Sequence, residues 1–372
     1  MENNTISPRQ FMYLVILFII GSSILIIPGP LAAGAKQDGW MSAIAGTGIG
    51  VLLVLLYHKI GVTIGNKTFV EAAIDIFGNW FGRIISFFHL VFIYILAALV
   101  LRNIGDFMTT QMMDQTPLQF THILFLLVVI MGAGLGIETI GRSAEMFITW
   151  MILLLVFLFL SLTPQLDINN LKPMFGAGLQ SISNTSLTII STPLLEMIIF
   201  LMIYPHVKEK HKAKHAWLIG LLIGCGFLTL LTLFSILVLG SDLTALNEYP
   251  IYELATKINV AGFLEGVEII VAIVWMLTIF FKLVILYYAS SLGIAQFLKI
   301  DDYRILLLPL GMGMVVLSII AYPDVAYFES FVSTTWLPYA TMHGFILPVL
   351  LLTGALIKKK RTKKKESGSS LK

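Results

Sequence analysis

FMYLVILFIIGSSILIIPGPLAAGA, residues 11–35, is long enough to cross a bilayer, yet Gly21-Ser22-Ser23 interrupts its middle and Pro28-Gly29-Pro30 its far end. A helix that served only as an anchor would gain nothing from these residues. Glycine costs about 1 kcal/mol in a helix interior and proline about 3. In lipid the freed backbone groups must also find partners, so a broken segment survives only where protein or a cavity covers it. A second interruption stands at Ser191-Thr192-Pro193. Two broken spans in corresponding halves of a chain point to a transporter-type binding site near the bilayer midplane.

The rest of the chain is built to match. It has 372 residues, 58% of them hydrophobic and 12% charged. Soluble domains carry roughly 25% charged residues, so the composition predicts a polytopic, all-α membrane protein. Ten spans are predicted: Phe11–Ala35, Trp40–Tyr57, Ile84–Leu101, Leu118–Gly136, Phe147–Leu162, Ser186–Tyr204, Trp217–Gly240, Val267–Ser290, Ile305–Ala321 and Phe331–Ile357. Pro338 and Pro348 should kink or tilt the last one. Glu2 ahead of Arg9, followed by a run too long for a signal-peptide core, predicts that the first span is retained.

With the N-terminus inside, nineteen of the twenty-four basic residues fall on the inner side, including Lys59, Arg142, Lys210, Arg304 and the tail after Ile357. Lys36, Arg102, Lys172 and Lys257 fall in outer loops, and Lys282 falls within a span. This bias predicts cytoplasmic N- and C-termini. Spans one and six then cross in opposite directions, the arrangement of a 5+5 inverted repeat. One transmembrane domain is expected over residues 1–357, with repeats at about 7–163 and 180–357 and a polybasic cytoplasmic tail at 358–372. Gly65–Phe77 reads as an interfacial amphipathic helix. Asn247–Glu265 reads as an outer loop with helical character, and Val207–His215 as a tight basic loop.

The breaks carry the candidate chemistry. Gly21 lets the backbone leave the helix, and Ser22, Ser23 and Ile24 begin an outward half-helix whose free amides suit a carboxylate. At the second break Ser191 and Thr192 precede Pro193, with Thr192 as N-cap of the inner half. The carbonyls of Ile189 and Ile190, freed by Pro193, suit an ammonium group. Donors at one break and acceptors at the other match a zwitterion such as a free amino acid. Glu196 lies one turn further on, where an ionisable residue is expensive and functional by default. It is expected to accept the ligand ammonium or to carry a coupling proton. Lys282 is the other intramembrane charge, placed to stand in for a bound cation between helices or to pair with a carboxylate. His89, Tyr94 and His343 read as satisfied packing residues, and Cys225, the single cysteine, as a small packing residue. No motif predicts an enzyme, a cofactor, a metal or a nucleic-acid partner.

Gly21-Ser22-Ser23-Ile24-Leu25-Ile26-Ile27-Pro28 resembles the G-S/T-G-I-x-x-x-P break of amino acid/polyamine/organocation transporters, with Ser23 where many of those have glycine. Over nearly everything from Ser7 to Ile357 the chain more specifically resembles the B subunits of bacterial spore germinant receptors. The likeness rests on Gly136-Ile137-Glu138-Thr139-Ile140-Gly141-Arg142-Ser143-Ala144-Glu145, on Ser191-Thr192-Pro193-Leu194-Leu195-Glu196 followed by Tyr204-Pro205, and on Phe281-Lys282. The resemblance implies a LeuT-like fold with discontinuous helices one and six, in the bacterial cell membrane or spore inner membrane. It also implies binding of a small germinant, often an amino acid, and partnership with an A-type subunit and a lipoprotein C-type subunit. The competing expectation is a proton- or cation-coupled amino acid transporter of the same fold.

Overall fold

The computed structural model describes residues 5–256 and 268–369. Among these the chain is helical almost throughout, and its one β pairing is an isolated bridge between Ile6 and Val207. Among the described residues, eight helices are long and apolar enough to cross a membrane. Two shorter apolar helices, Leu118–Gly134 and Arg304–Ile320, stand where spans four and nine are expected. The end of the bundle bearing Arg9, Lys210 and Arg304 is the one that the basic-residue asymmetry predicts to face inward, and is termed the inner end.

The two interrupted spans lie at the centre. In their most apolar stretches, span one (Pro8–Ile26) is 72% buried and span six (Gly178–His206) 78%, against 28% for span five (Gly136–Gln165). That is where broken backbone must be in lipid, since surrounding protein has to cover its polar groups. The inner half of span one packs on the helices Lys210–Leu239, Gly136–Leu162 and Glu268–Leu298. Phe11 anchors it edge-on between Phe200, at 5.4 Å, and Trp217, at 5.3 Å. Close approach elsewhere depends on glycine, as is usual where apolar burial alone does not drive helices together. A Cβ on Gly46 would lie 2.1 Å from the Ile189 side chain, and one on Gly50 would lie 2.9 Å from Leu194, whereas Gly48 faces open space.

The motif Gly136–Glu145 closes the inner end. Gly136, at φ +85°, makes the turn into span five. Glu138 pairs with Arg142 at 2.6 Å along the helix. Glu145 meets Arg9 and accepts from the Gln10 side chain at 3.2 Å. Ile6 continues the clamp: its N–H donates to His206 at 2.9 Å, and its carbonyl accepts from Lys208 at 3.0 Å.

Several boundaries differ from the sequence reading. The basic segment Val207–His215 is mostly not a loop, because the helix Lys210–Leu239 begins inside it and only Val207–Glu209 link the two helices. The amphipathic segment is the first part of one long helix, Phe69–Phe107, bent at Gly78 where φ is +81°. Arg102 is therefore in that helix and 7% exposed rather than in an outer loop. Gly136 opens span five and is not part of span four. In the last span, wide turns at Val332–Trp336 and Met342–Ile346 precede Pro338 and Pro348, which accommodates both prolines without ending the run. In the outer segment Asn247–Glu265, helix Pro250–Thr256 is present, while residues 257–265, with Lys257, lie outside the described residues.

The glycine register of span two gives a direct check. Gly46→Ala should destabilise purified protein by about 1–3 kcal/mol through overpacking against Ile189. Gly48→Ala should be neutral or stabilising by up to about 1 kcal/mol. Denaturant titration in detergent micelles distinguishes them, and equal effects would contradict this packing of span two on span six.

Candidate functional site

The first break is sharp. Helix Pro8–Ile20 ends at Gly21, whose backbone sits at φ 9°, ψ −115°, and the chain resumes as Ser23–Ile26 and then Pro28–Ala35. The freed carbonyl of Gly21 accepts from the Thr278 hydroxyl at 3.3 Å. A Cβ on Gly21 would lie 2.6 Å from Cδ of Lys282 and 2.9 Å from its Cβ. Glycine is thus required here for a second reason beyond backbone freedom: the lysine stem passes against it. Ser22, Ser23 and Ile24 are all buried. In this conformation Ser22 presents its hydroxyl oxygen to a cation, accepting from Lys282 Nζ at 2.9 Å.

At the second break Thr192 has extended backbone, φ −142°, ψ 109°, as an N-cap residue does, and the buried Pro193 follows. The inner half begins as the tight helix Leu195–Ile199 before becoming an α-helix over Phe200–Ile203. The Ile190 carbonyl is not free as expected. The wide turn Ile190–Leu194 brings it the Leu195 N–H. The neighbouring Ser191 carbonyl accepts from Trp336 Nε1 at 3.2 Å. Ser191 itself donates back to the Thr188 carbonyl at 3.0 Å.

Lys282 joins the breaks. Its Nζ lies 2.7 Å from Glu196 Oε2, with the side chains 0% and 1% exposed. The ammonium also sits 5.2 Å over the Phe18 ring. Of the two expectations for this lysine, pairing with a carboxylate is the one observed. Each charge alone would carry a desolvation penalty of several kcal/mol, and together they offset much of it. One ammonium thus bridges span one, through Ser22, and span six, through Glu196, from its place on span eight.

Beside this contact is a hollow of about 40 Å³, lined by Ser22, Asn103, Thr192, Glu196, Phe331 and Trp336 among others. That is close to the ~30 Å³ share of one water in the liquid. Toward the outer end lies a cavity of about 520 Å³, within the ~300–1,000 Å³ range of small-molecule sites. Ile26, Pro30, Asn103, Thr188, Phe328 and Val332 line both spaces and so form the partition between them. Arg102 holds Asp106 at 2.8 Å, and the Tyr322 hydroxyl donates to Asp106 at 2.7 Å and lies 3.2 Å from the Asn103 side-chain oxygen. Sequence reasoning did not single out Asn103, Asp106, Tyr322 or Trp336. Arg102 and Asp106, opposite charges one turn apart at the end of an apolar run, were the available signal.

The remaining polar residues divide. Tyr94 donates to the Leu310 carbonyl at 2.6 Å. His343 stacks on Phe92 with centroids 4.7 Å apart, but its Nδ1 has no hydrogen-bond partner among the described residues, so it is not satisfied as expected. His89 stacks on Phe69 at 3.9 Å, but neither ring nitrogen has a hydrogen-bond partner among the described residues, so its polar atoms are not satisfied as expected. Cys225 is buried in the helix Lys210–Leu239, as a packing residue would be.

A family profile described as spore germination protein matches residues 5–325. Spore germination protein KB of Bacillus subtilis (strain 168) is 30% identical over 370 residues, covering 98% of each chain. Spore germination protein A2 of the same organism is 26% identical over 352 residues, 93% of this chain and 94% of that one. Among solved structures, MhsT in complex with L-phenylalanine aligns with a TM-score of 0.66 at 14% identity, over 93% of this chain and 97% of that one. Mhp1, a nucleobase-cation-symport-1 family transporter in a closed conformation with bromovinylhydantoin bound, aligns with a TM-score of 0.71 at 11% identity, over 96% and 93%. At these identities the solved structures speak for the fold alone, and that fold is the LeuT type. From Ile6 at the inner clamp through the paired breaks to the outer partition, this chain is an integral membrane protein belonging to the spore germination protein family.

Proposed function

We propose that the chain is the nutrient-sensing membrane subunit of a spore germinant receptor, taking a small molecule, an amino acid, between the breaks of spans one and six. The observation that carries this reading is the buried Lys282 bridge from Glu196 to Ser22, beside a hollow that adjoins a ligand-sized cavity. A zwitterion is the natural guest of an ion pair. Its ammonium faces Glu196 and its carboxylate faces Lys282, so insertion separates the pair and leaves neither charge alone. The amides at Ser22, Ser23 and Ile24 lie on the carboxylate side, and Ser191, Thr192 and Pro193 frame the ammonium side. Separation moves span eight against span six, so the ligand favours one of two arrangements over the other, which any signal requires. A-type and lipoprotein C-type subunits are the proposed receivers of that change.

The fold similarity to transporters supports a second reading, coupled amino acid transport through the same site. In that reading Glu196 is the group that would exchange a proton, with Lys282 as its counter-charge.

Four outcomes follow. A panel of free amino acids, sugars and nucleosides, read by thermal shift on purified protein, should give a shift with at least one amino acid. A site filled at a hundred times Kd adds about 2.7 kcal/mol of stability. Glu196→Gln, or a bulky residue at Ser22, should abolish that shift and the germination response while the protein stays in the membrane; unchanged responses in both would remove the site. Gly21→Ala should weaken ligand binding at least tenfold by displacing the Lys282 stem, and wild-type affinity would contradict the contact. Liposomes carrying an imposed proton gradient should show no concentrative uptake of the radiolabelled ligand, and uptake would replace the sensor by a transporter.

A further inference from the structure

Beyond its bend at Gly78, the helix Phe69–Phe107 exposes an apolar face with one charge in it. Trp80, Arg83, Ile84 and Phe87 are spaced by three and four, so they form a single stripe running about 10 Å along the helix from its inner end. Phe297, near the inner end of Glu268–Leu298, stands across from it. Between them lies an open groove of about 630 Å³. Trp80 is 84% exposed, and Phe87 is 53% exposed.

Arg83 is half-buried, with its guanidinium 5.5 Å over the Phe297 ring. Among the described residues no carboxylate pairs with it. A charge held at the edge of the bilayer without a protein counter-ion attracts an anion, and a guanidinium matches a phosphate in two-pronged geometry. The order along the stripe is the order of a phospholipid. An indole and a guanidinium stand at headgroup level, where tryptophan is enriched, and apolar rings continue toward the hydrocarbon.

We infer that this groove binds an anionic phospholipid, with its phosphodiester on Arg83 and an acyl chain along Ile84, Phe87 and Phe297. Lipid is the chosen occupant because the face opens to the bilayer and its only charged group is a single cation. That cation selects a phosphatidylglycerol-type headgroup over a zwitterionic one.

Trp80 supplies the probe. Full-length protein is reconstituted in vesicles of equal phosphatidylglycerol and phosphatidylcholine, with bromine on the acyl chains of one lipid or the other. Quenching is taken as the difference between wild type and Trp80→Phe. The expected result is about fivefold preferential quenching by the brominated phosphatidylglycerol. The preference should fall to unity in Arg83→Gln and survive in part in Arg83→Lys, with unfolding midpoints matching wild type. Equal quenching by both lipids in wild type, or an undiminished preference in Arg83→Gln, would overturn the proposal. So would a polypeptide that shields Trp80 from both lipids and is released by Arg83→Gln, since that assigns the face to a protein partner.

Discussion

Two opposite charges with no access to water can be tolerated only in each other's company. Glu196 and Lys282 are in that position, 2.7 Å apart in the middle of a membrane bundle. Continuum reasoning and experiment agree that removing one member of such a pair costs about 3–5 kcal/mol, more than the pair itself contributes. The contact is therefore poorly explained as a source of stability. Its value is positional: it fixes the relation of spans one, six and eight, because Lys282 also reaches Ser22.

The surroundings follow from that requirement. Span one must break so that Ser22 faces the ammonium, and the break residue must be glycine so that the lysine stem can pass. The carbonyl exposed at Gly21 is taken by Thr278, from the same helix that carries Lys282. Span six breaks so that Glu196 lies just inward of Pro193, and Trp336 of the last span covers the Ser191 carbonyl. The Ile6 bridge and the Glu145 contacts tie the inner end together, while the larger cavity lies outward. The partition, with Asn103 and Val332, thus stands between the larger cavity and the ion pair. A contact that is bistable, paired or split, is a suitable element for a two-state switch.

Much of this was legible in the residues. Gly21 and Pro193 announce breaks because lipid forbids unpaired backbone, and Glu196 and Lys282 announce themselves because charge is rare at that depth. What a linear reading cannot supply is distance between helices. The sequence offered Lys282 a carboxylate or a vacant cation position, and only the packing of span eight against span six decided between them. Ile190 was expected to offer a free carbonyl, but a single wide turn returned an N–H to it. The charge of Arg102 reads as the end of a span, although Asp106 one turn on and the Tyr322 ring let it remain inside. The lysines at 210, 212 and 214 marked a loop by charge, but lysine is a good helix former and the connection needs only Val207–Glu209.

The positional role of the ion pair is tested most directly by a double-mutant cycle on Glu196→Gln and Lys282→Met, with unfolding free energies measured in detergent micelles. Each single change leaves one buried group without its partner and should cost about 3–5 kcal/mol. The double variant should cost far less than the two combined, with a coupling energy of about 2 kcal/mol or more. Additive losses would mean that Glu196 and Lys282 do not hold one another, and the bridge between the breaks would be refuted.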